Sequence, residues 1–95
     1  MEINQLRDDL VRAVKEKYPR TRSLEDRFID LSRNVGEFGS SIQYRNGNYS
    51  KAHHDTLQHQ IASVMVDLFM ISDEINCNVE EELKAALRWF KDGKK

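Results

Sequence analysis

The sequence has 95 residues, with 15 Lys and Arg against 16 Asp and Glu, for a formal net charge of -1. That length fits one domain, 1 to 95, and near-neutral charge argues against a dedicated nucleic-acid binder. Hydrophobic residues make up 39% and charged residues 33%, which is too apolar for a disordered chain and too charged for a membrane span. The single cysteine, Cys77, excludes an intramolecular disulfide and a multi-cysteine zinc site. The start MEINQLRDDL lacks the apolar core of a secretory signal, so a reducing cytoplasmic setting is expected. A domain this short buries only roughly 60 to 65% of its unfolded surface, so pairing with a second copy would supplement a marginal core.

Apolar residues recur at intervals of three and four, which is helical periodicity, and the fold is expected to be all-α. In the first segment Ile3, Leu6, Leu10 and Val14 form a stripe, until Pro19 removes an amide donor; this predicts a helix over 2 to 17. Ser23, with Asp26 three residues on, reads as the cap of a second helix. Its stripe runs Leu24, Phe28, Leu31, Val35, Phe38 and Ile42, and Asn46-Gly47-Asn48 is expected to stop it near Tyr44. Gly36 and Gly39 within this helix each cost about 1 kcal/mol relative to Ala, which suggests a close approach to the backbone there by another helix or a ligand.

A third helix, from about Ala52 to Ile75, repeats the spacing through Leu57, Ile61, Val64, Leu68, Ile71 and Ile75. Ala62, Met65, Val66, Phe69 and Met70 carry its apolar surface well around the cylinder, so it should be central in its domain or buried between subunits. Asn78 can cap a fourth helix with Glu81 completing the box; Leu83, Ala86, Leu87 and Phe90 form its stripe, and Gly93 ends it. These segments predict one four-helix antiparallel bundle, with the two long helices joined by a loop at 44 to 51, assembled as a homodimer or a dimer of dimers.

Residues three or four apart share a helical face, so the second helix presents Asp30, Asn34, Glu37 and Ser41 as a polar row. The third presents Gln60, Ser63, Asp67 and Glu74. In an antiparallel pair such rows can meet across a groove, either as an oxygen-ligand Mg²⁺ site or simply as boundary polar residues between core and solvent.

Two segments carry a more specific likeness: Leu31-Ser32-Arg33-Asn34-Val35-Gly36-Glu37-Phe38, and Gln60-Ile61-Ala62-Ser63-Val64-Met65-Val66-Asp67-Leu68. Together they resemble the two signature helices of the MazG-like all-α NTP pyrophosphohydrolases, which carry Glu-x-x-Glu and Glu-x-x-Asp. The tail from Asp73 to Leu83 is similar to that family's continuation into its last helix, so the resemblance covers roughly 24 to 90. It implies a Mg²⁺ site made by four carboxylates. It also implies hydrolysis of a nucleoside triphosphate between the α and β phosphates, to a monophosphate and pyrophosphate.

Carried over residue by residue, only Glu37 keeps its carboxylate; the other three positions hold Asn34, Gln60 and Ser63, and Arg33 adds a cation beside them. Amide and hydroxyl oxygens can ligate weakly, but they bring no negative charge. At about 4 Å and an effective dielectric near 20, each lost charge forfeits roughly 4 kcal/mol of attraction. With two thirds of the three losses cancelled by desolvation and relaxation, about 4 kcal/mol remains, on the order of a thousandfold in affinity. A catalytically impaired member, at most nucleotide-binding, is therefore expected. The alternatives are an active NTP or dNTP pyrophosphohydrolase whose site is rebuilt from Asp30, Asp67 or Glu74, and a non-enzymatic helical interaction module.

Elsewhere the signals are weaker. Tyr44, Arg45, Tyr49 and Lys51 mix aromatics with cations, a combination that can stack a base and hold phosphate, or form an ordinary turn. His53, His54 and His59 have poor spacing for zinc and are read as exposed residues at a helix start. Cys77 reads as an ordinary small residue, and Trp89 as core or interface. Arg88, Lys91, Lys94 and Lys95 fit a helix C-terminus, where cations meet the dipole favourably.

Overall fold

A computed structural model describes the backbone of residues 2–48 and 51–93 and the side chains of 2–42 and 56–93. It is an all-helical bundle: α1 spans Ile3–Lys17, α2 Leu24–Asn48, α3 Lys51–Glu74 and α4 Val79–Asp92, with no strand among the described residues. None of these helices is long and apolar enough to cross a membrane.

Local chemistry sets most of the boundaries. The Asp26 amide donates to Ser23 Oγ at 3.1 Å, opening α2, and the Glu81 amide donates to Asn78 Oδ1 at 3.1 Å, opening α4. Gly93 closes α4 with a φ of 69°, which a residue without Cβ adopts freely. The end of α3 is a Schellman turn: the Cys77 amide reaches Ser72 O at 2.9 Å and the Asn76 amide reaches Asp73 O at 3.2 Å. Asn76 supplies the left-handed residue, at φ 56°. The expected stop at Tyr44 does not occur; α2 runs through Asn46 and Gly47 to Asn48. Asn and Gly tolerate a turn but do not impose one, and each helical residue added gains a hydrogen bond.

α2 and α3 form an antiparallel hairpin, and its register is fixed by polar pairs. Arg27 Nε lies 3.9 Å from Glu74 Oε1, and Asn34 Nδ2 donates to Asp67 Oδ2 at 2.6 Å. The α2 residues turned toward α3 are thus Arg27, Leu31, Asn34, Phe38 and Ser41, all partly covered. Only Leu31 and Phe38 of the expected six-residue apolar stripe lie in that row. Phe28 and Val35 each follow a seam residue by one position, about 100° around the helix, and are 61% and 48% exposed. On α3 the same offset from Asp67 and Glu74 gives Leu68 and Ile75, also exposed.

Antiparallel neighbours are related by a two-fold axis perpendicular to their common plane, so equal offsets fall on the same side of the pair. Leu24, Phe28, Val35 and Ile42 therefore share one flank of the hairpin with Ile61, Leu68 and Ile75, and every one of them is exposed. The residues that precede the seam, Val66 and Asp73, lie on the other flank. There α1 packs on the C-terminal half of α3, burying Val11, Phe69, Met70 and Ser72 within the molecule. The expected surplus of apolar surface on α3 thus exists, but it lies on Ile61, Met65, Leu68 and Ile75; Phe69 and Met70 are covered by the chain itself.

Arg7 ties α1 to the corner between α3 and α4. Its Nη1 donates to Ser72 Oγ at 3.0 Å and to the Cys77 carbonyl at 2.8 Å, and its side chain is only 12% exposed. Asn4 grips the start of α4, donating to Asn78 Oδ1 at 2.8 Å and accepting from the Glu80 amide at 3.2 Å. α4 packs against α1 and has no buried residue. Among the described residues, no atom beyond the helix's own backbone and the adjoining residues lies within 4 Å of where a Cβ would stand on Gly36 or Gly39. The close approach expected at these glycines is therefore not made among the described residues, because both lie away from the α3 seam.

The radius of gyration is 15.7 Å, against about 12 Å for a compact domain of this length. Arg7→Ala removes the donor for two part-buried oxygens at once, and hydrogen bonds from a charged donor are worth about 1.5–3 kcal/mol. Urea unfolding should show a loss of about 2–3 kcal/mol, with Arg7→Lys recovering part of it.

Candidate functional site

Next to the Asn34–Asp67 contact, on the flank opposite the exposed apolar one, the hairpin opens into a pocket of about 450 Å³. Asn34, Glu37, Thr56, His59, Gln60 and Ser63 line it. The spacing explains the convergence. Asn34 and Glu37 are one turn apart on α2, and Thr56, Gln60 and Ser63 follow each other at intervals of four and three on α3. The four positions singled out by the resemblance, Asn34, Glu37, Gln60 and Ser63, thus share one pocket wall.

Their chemistry is largely neutral. Asp67, as an acceptor, orients the Asn34 amide so that Nδ2 points at it, which leaves Asn34 Oδ1 for other partners. Ser63 Oγ donates back to the His59 carbonyl at 3.2 Å. Among the described residues Gln60 Oε1 is buried with no hydrogen-bond partner; a buried acceptor left so costs about 1–3 kcal/mol. Glu37 is the one carboxylate in the lining, and it is exposed.

The other carboxylates that could rebuild a metal shell are engaged elsewhere. Asp30 takes Arg22 at 2.8 Å and Arg33 at 3.8 Å. Glu74 stands beside Arg27 at the far end of the seam, and Asp67 is occupied by Asn34. Among the described residues no group of three His, Cys, Asp or Glu could hold a metal ion. A donor set of one exposed carboxylate, two amides and a hydroxyl does not fit Mg²⁺, a hard ion that dehydrates reluctantly and relies on carboxylate charge.

Thr56 and His59 were not distinguished as pocket residues by sequence reasoning. The available signal was their place in the same helical row as Gln60 and Ser63, one turn nearer the start of α3. Arg27 was missed as well. Its side chain is 11% exposed and its Nε is buried without a hydrogen bond, in a seam position that periodicity had assigned to neighbouring Phe28. Trp89 is not core: it is exposed, with its ring edge-on to Phe90 at a centroid distance of 4.9 Å. Cys77 serves through its backbone, as part of the corner that Arg7 holds. The side chains of Tyr44, Arg45, Lys51, His53 and His54, and all of Tyr49, Lys94 and Lys95, lie outside the described residues. Compared with protein-family models, curated proteins and solved structures, the chain matches none.

The Asn34–Asp67 contact gives a test of the site's charge. Asn34→Asp sets two carboxylates at hydrogen-bond distance, which raises the pKa of one of them in the folded state. The resulting penalty is absent below the unfolded carboxyl range near pH 4 and grows as pH rises above it. Thermal melts should therefore show the variant less stable than the parent at pH 7, with the gap narrowing toward pH 4.

Proposed function

We propose that the chain is a MazG-like member of the all-α nucleotide pyrophosphohydrolases that has lost metal-dependent hydrolysis and at most binds nucleotide. We further propose that it acts as a homodimer or a dimer of dimers. The observation that carries this reading is the pocket itself: the four positions matched to the family's carboxylates line one cavity, and only Glu37 is charged. Pyrophosphate release needs charge compensation on the phosphates and an activated water, and a metal supplies both in such chemistry. The lining residues offer hydrogen-bond donors and acceptors for a ligand, without the charge that would hold the ion. Homo-oligomerisation is supported by the apolar flank of the hairpin, because seven exposed aliphatic and aromatic side chains on one side exceed what a monomer ordinarily displays.

The same flank favours a second reading, a helical interaction module that keeps the fold as scaffold. Calorimetric titration with nucleoside triphosphates separates the two. Stoichiometric heat without turnover supports the first, and its absence for all common NTPs and dNTPs supports the second.

Pyrophosphate release from NTPs and dNTPs should stay at background with Mg²⁺ or Mn²⁺; release abolished by Glu37→Gln would refute the proposal. Restoring Asn34→Glu, Gln60→Glu and Ser63→Asp together should create divalent-metal affinity, because ligand charges act jointly on one ion. The triple variant should melt lower than the parent in chelator, since four carboxylates then converge, and regain stability in millimolar metal. Equal melting temperatures in chelator and in metal would show that the four positions do not act as one site.

A further inference from the structure

α4 meets the rest of the molecule chiefly through α1, with Val79, Glu80 and Ala85 half-buried and no residue fully buried. Its stripe of Leu83, Ala86, Leu87 and Phe90, with Trp89 beside it, is exposed throughout, and Phe90 reaches 78%. The helix is nevertheless well formed and firmly rooted. Asn78 caps it, Asn4 holds both Asn78 and the Glu80 amide, and Arg7 holds the carbonyl of Cys77 just before it. These bonds fix its first turn, and α1 is the helix against which it packs. An amphipathic helix, fixed at its root and bare along its apolar face, is an arm shaped for a partner.

Surface area indicates how much partner is needed. The chain exposes 7435 Å², whereas a compact monomer of its mass exposes about 5,700 Å². The excess, roughly 1,700 Å², is about twice what one partner contributes to a standard interface. The apolar flank of the hairpin is about 27 Å long from Leu24 to Ile42 and about two helices wide, enough for one such contact. The α4 stripe is a second apolar surface outside that flank.

A second copy fits this arm better than a lipid surface does. On α4 Glu80, Glu81, Glu82 and Asp92 outnumber Lys84, Arg88 and Lys91, so the helix lacks the net basic polar face that anionic headgroups favour. A second copy brings an exposed apolar flank of its own, and two-fold symmetry makes each contact twice.

We infer that α4 is an exchanged arm: in the dimer its Leu83, Leu87 and Phe90 lie against the α2–α3 hairpin of the second copy, beside the Phe28, Leu68 and Ile75 flank. This rests on the homo-oligomer reading above. The exchange answers two observations together, the bare stripe of α4 and an excess area too large for one flat contact.

Photo-crosslinking tests it on the 95-residue chain. With p-benzoylphenylalanine in place of Phe90, and light and heavy nitrogen isotopes mixed between two preparations, irradiation should join α4 of one isotope to peptides of α2 or α3 of the other. Leu87→Glu should weaken the dimer about tenfold or more, read from the concentration dependence of light scattering. A stable monomer at micromolar concentration overturns the oligomer reading and the exchange together. A dimer whose cross-links stay within one chain, or join α4 to α4, overturns the exchange alone, as does a Leu87→Glu dimer of unchanged affinity.

Discussion

The seam between α2 and α3 is polar where it sets the register, and the rest of the molecule follows from that. Arg27 faces Glu74 and Asn34 faces Asp67, at distances that leave little room for sliding. A purely apolar seam could shift by a turn at small cost; a carboxylate that loses its amide partner in a part-buried contact cannot. These pairs occupy the line that would otherwise hold Phe28, Val35, Leu68 and Ile75, and so rotate the large apolar side chains out of the chain's own interior. Stability of the single chain is exchanged for a defined register and an exposed apolar flank.

The same rotation creates the pocket. With the seam on Asn34 and Asp67, the neighbouring turn of each helix brings Glu37, Gln60 and Ser63 to the flank that α1 leaves uncovered. α1 covers only the C-terminal half of α3, because Arg7 and Lys15 anchor it at Ser72, Asp73 and Cys77. The two flanks thus differ in kind, one apolar along its length, the other divided between α1 and a polar cavity. A cavity with a single carboxylate has little pull on a divalent ion, and Gln60 Oε1 is buried there without a hydrogen-bond partner among the described residues.

Much of this was legible in the sequence. The helical class, the caps at Ser23 and Asn78, the stop at Gly93 and the shared row of Asn34 and Glu37 all depend on local chemistry, which neighbouring residues report directly. The rotation of α2 was not legible. Leu24, Phe28, Leu31, Val35, Phe38 and Ile42 make a regular four-three stripe, and periodicity alone treats such a stripe as one buried face. It spans two surfaces, since Leu31 and Phe38 turn toward α3 while the other four turn outward. Only the long-range pairs Arg27–Glu74 and Asn34–Asp67 decide between these, and pairings across 47 and 33 residues leave no mark on local spacing. Asn76 was missed for a related reason: its left-handed conformation answers the carbonyls of Ser72 and Asp73, and Asn serves there almost as readily as Gly.

The corner held by Arg7 also bears on how fast the arm could find a binding surface. Ordering a flexible segment costs on the order of 1–2 kcal/mol per residue, and a helix that must form and orient on encounter meets that cost at the moment of binding. Here the Schellman turn, the Asn78 cap and the Arg7 and Asn4 bonds settle it during folding of the chain. An encounter then needs only the right approach of two preformed surfaces, and its rate is governed by diffusion and orientation instead of by a search through helix conformations. Loosening the corner would leave every apolar side chain of α4 in place and still slow the association proposed above, because the cost avoided beforehand would return at each collision.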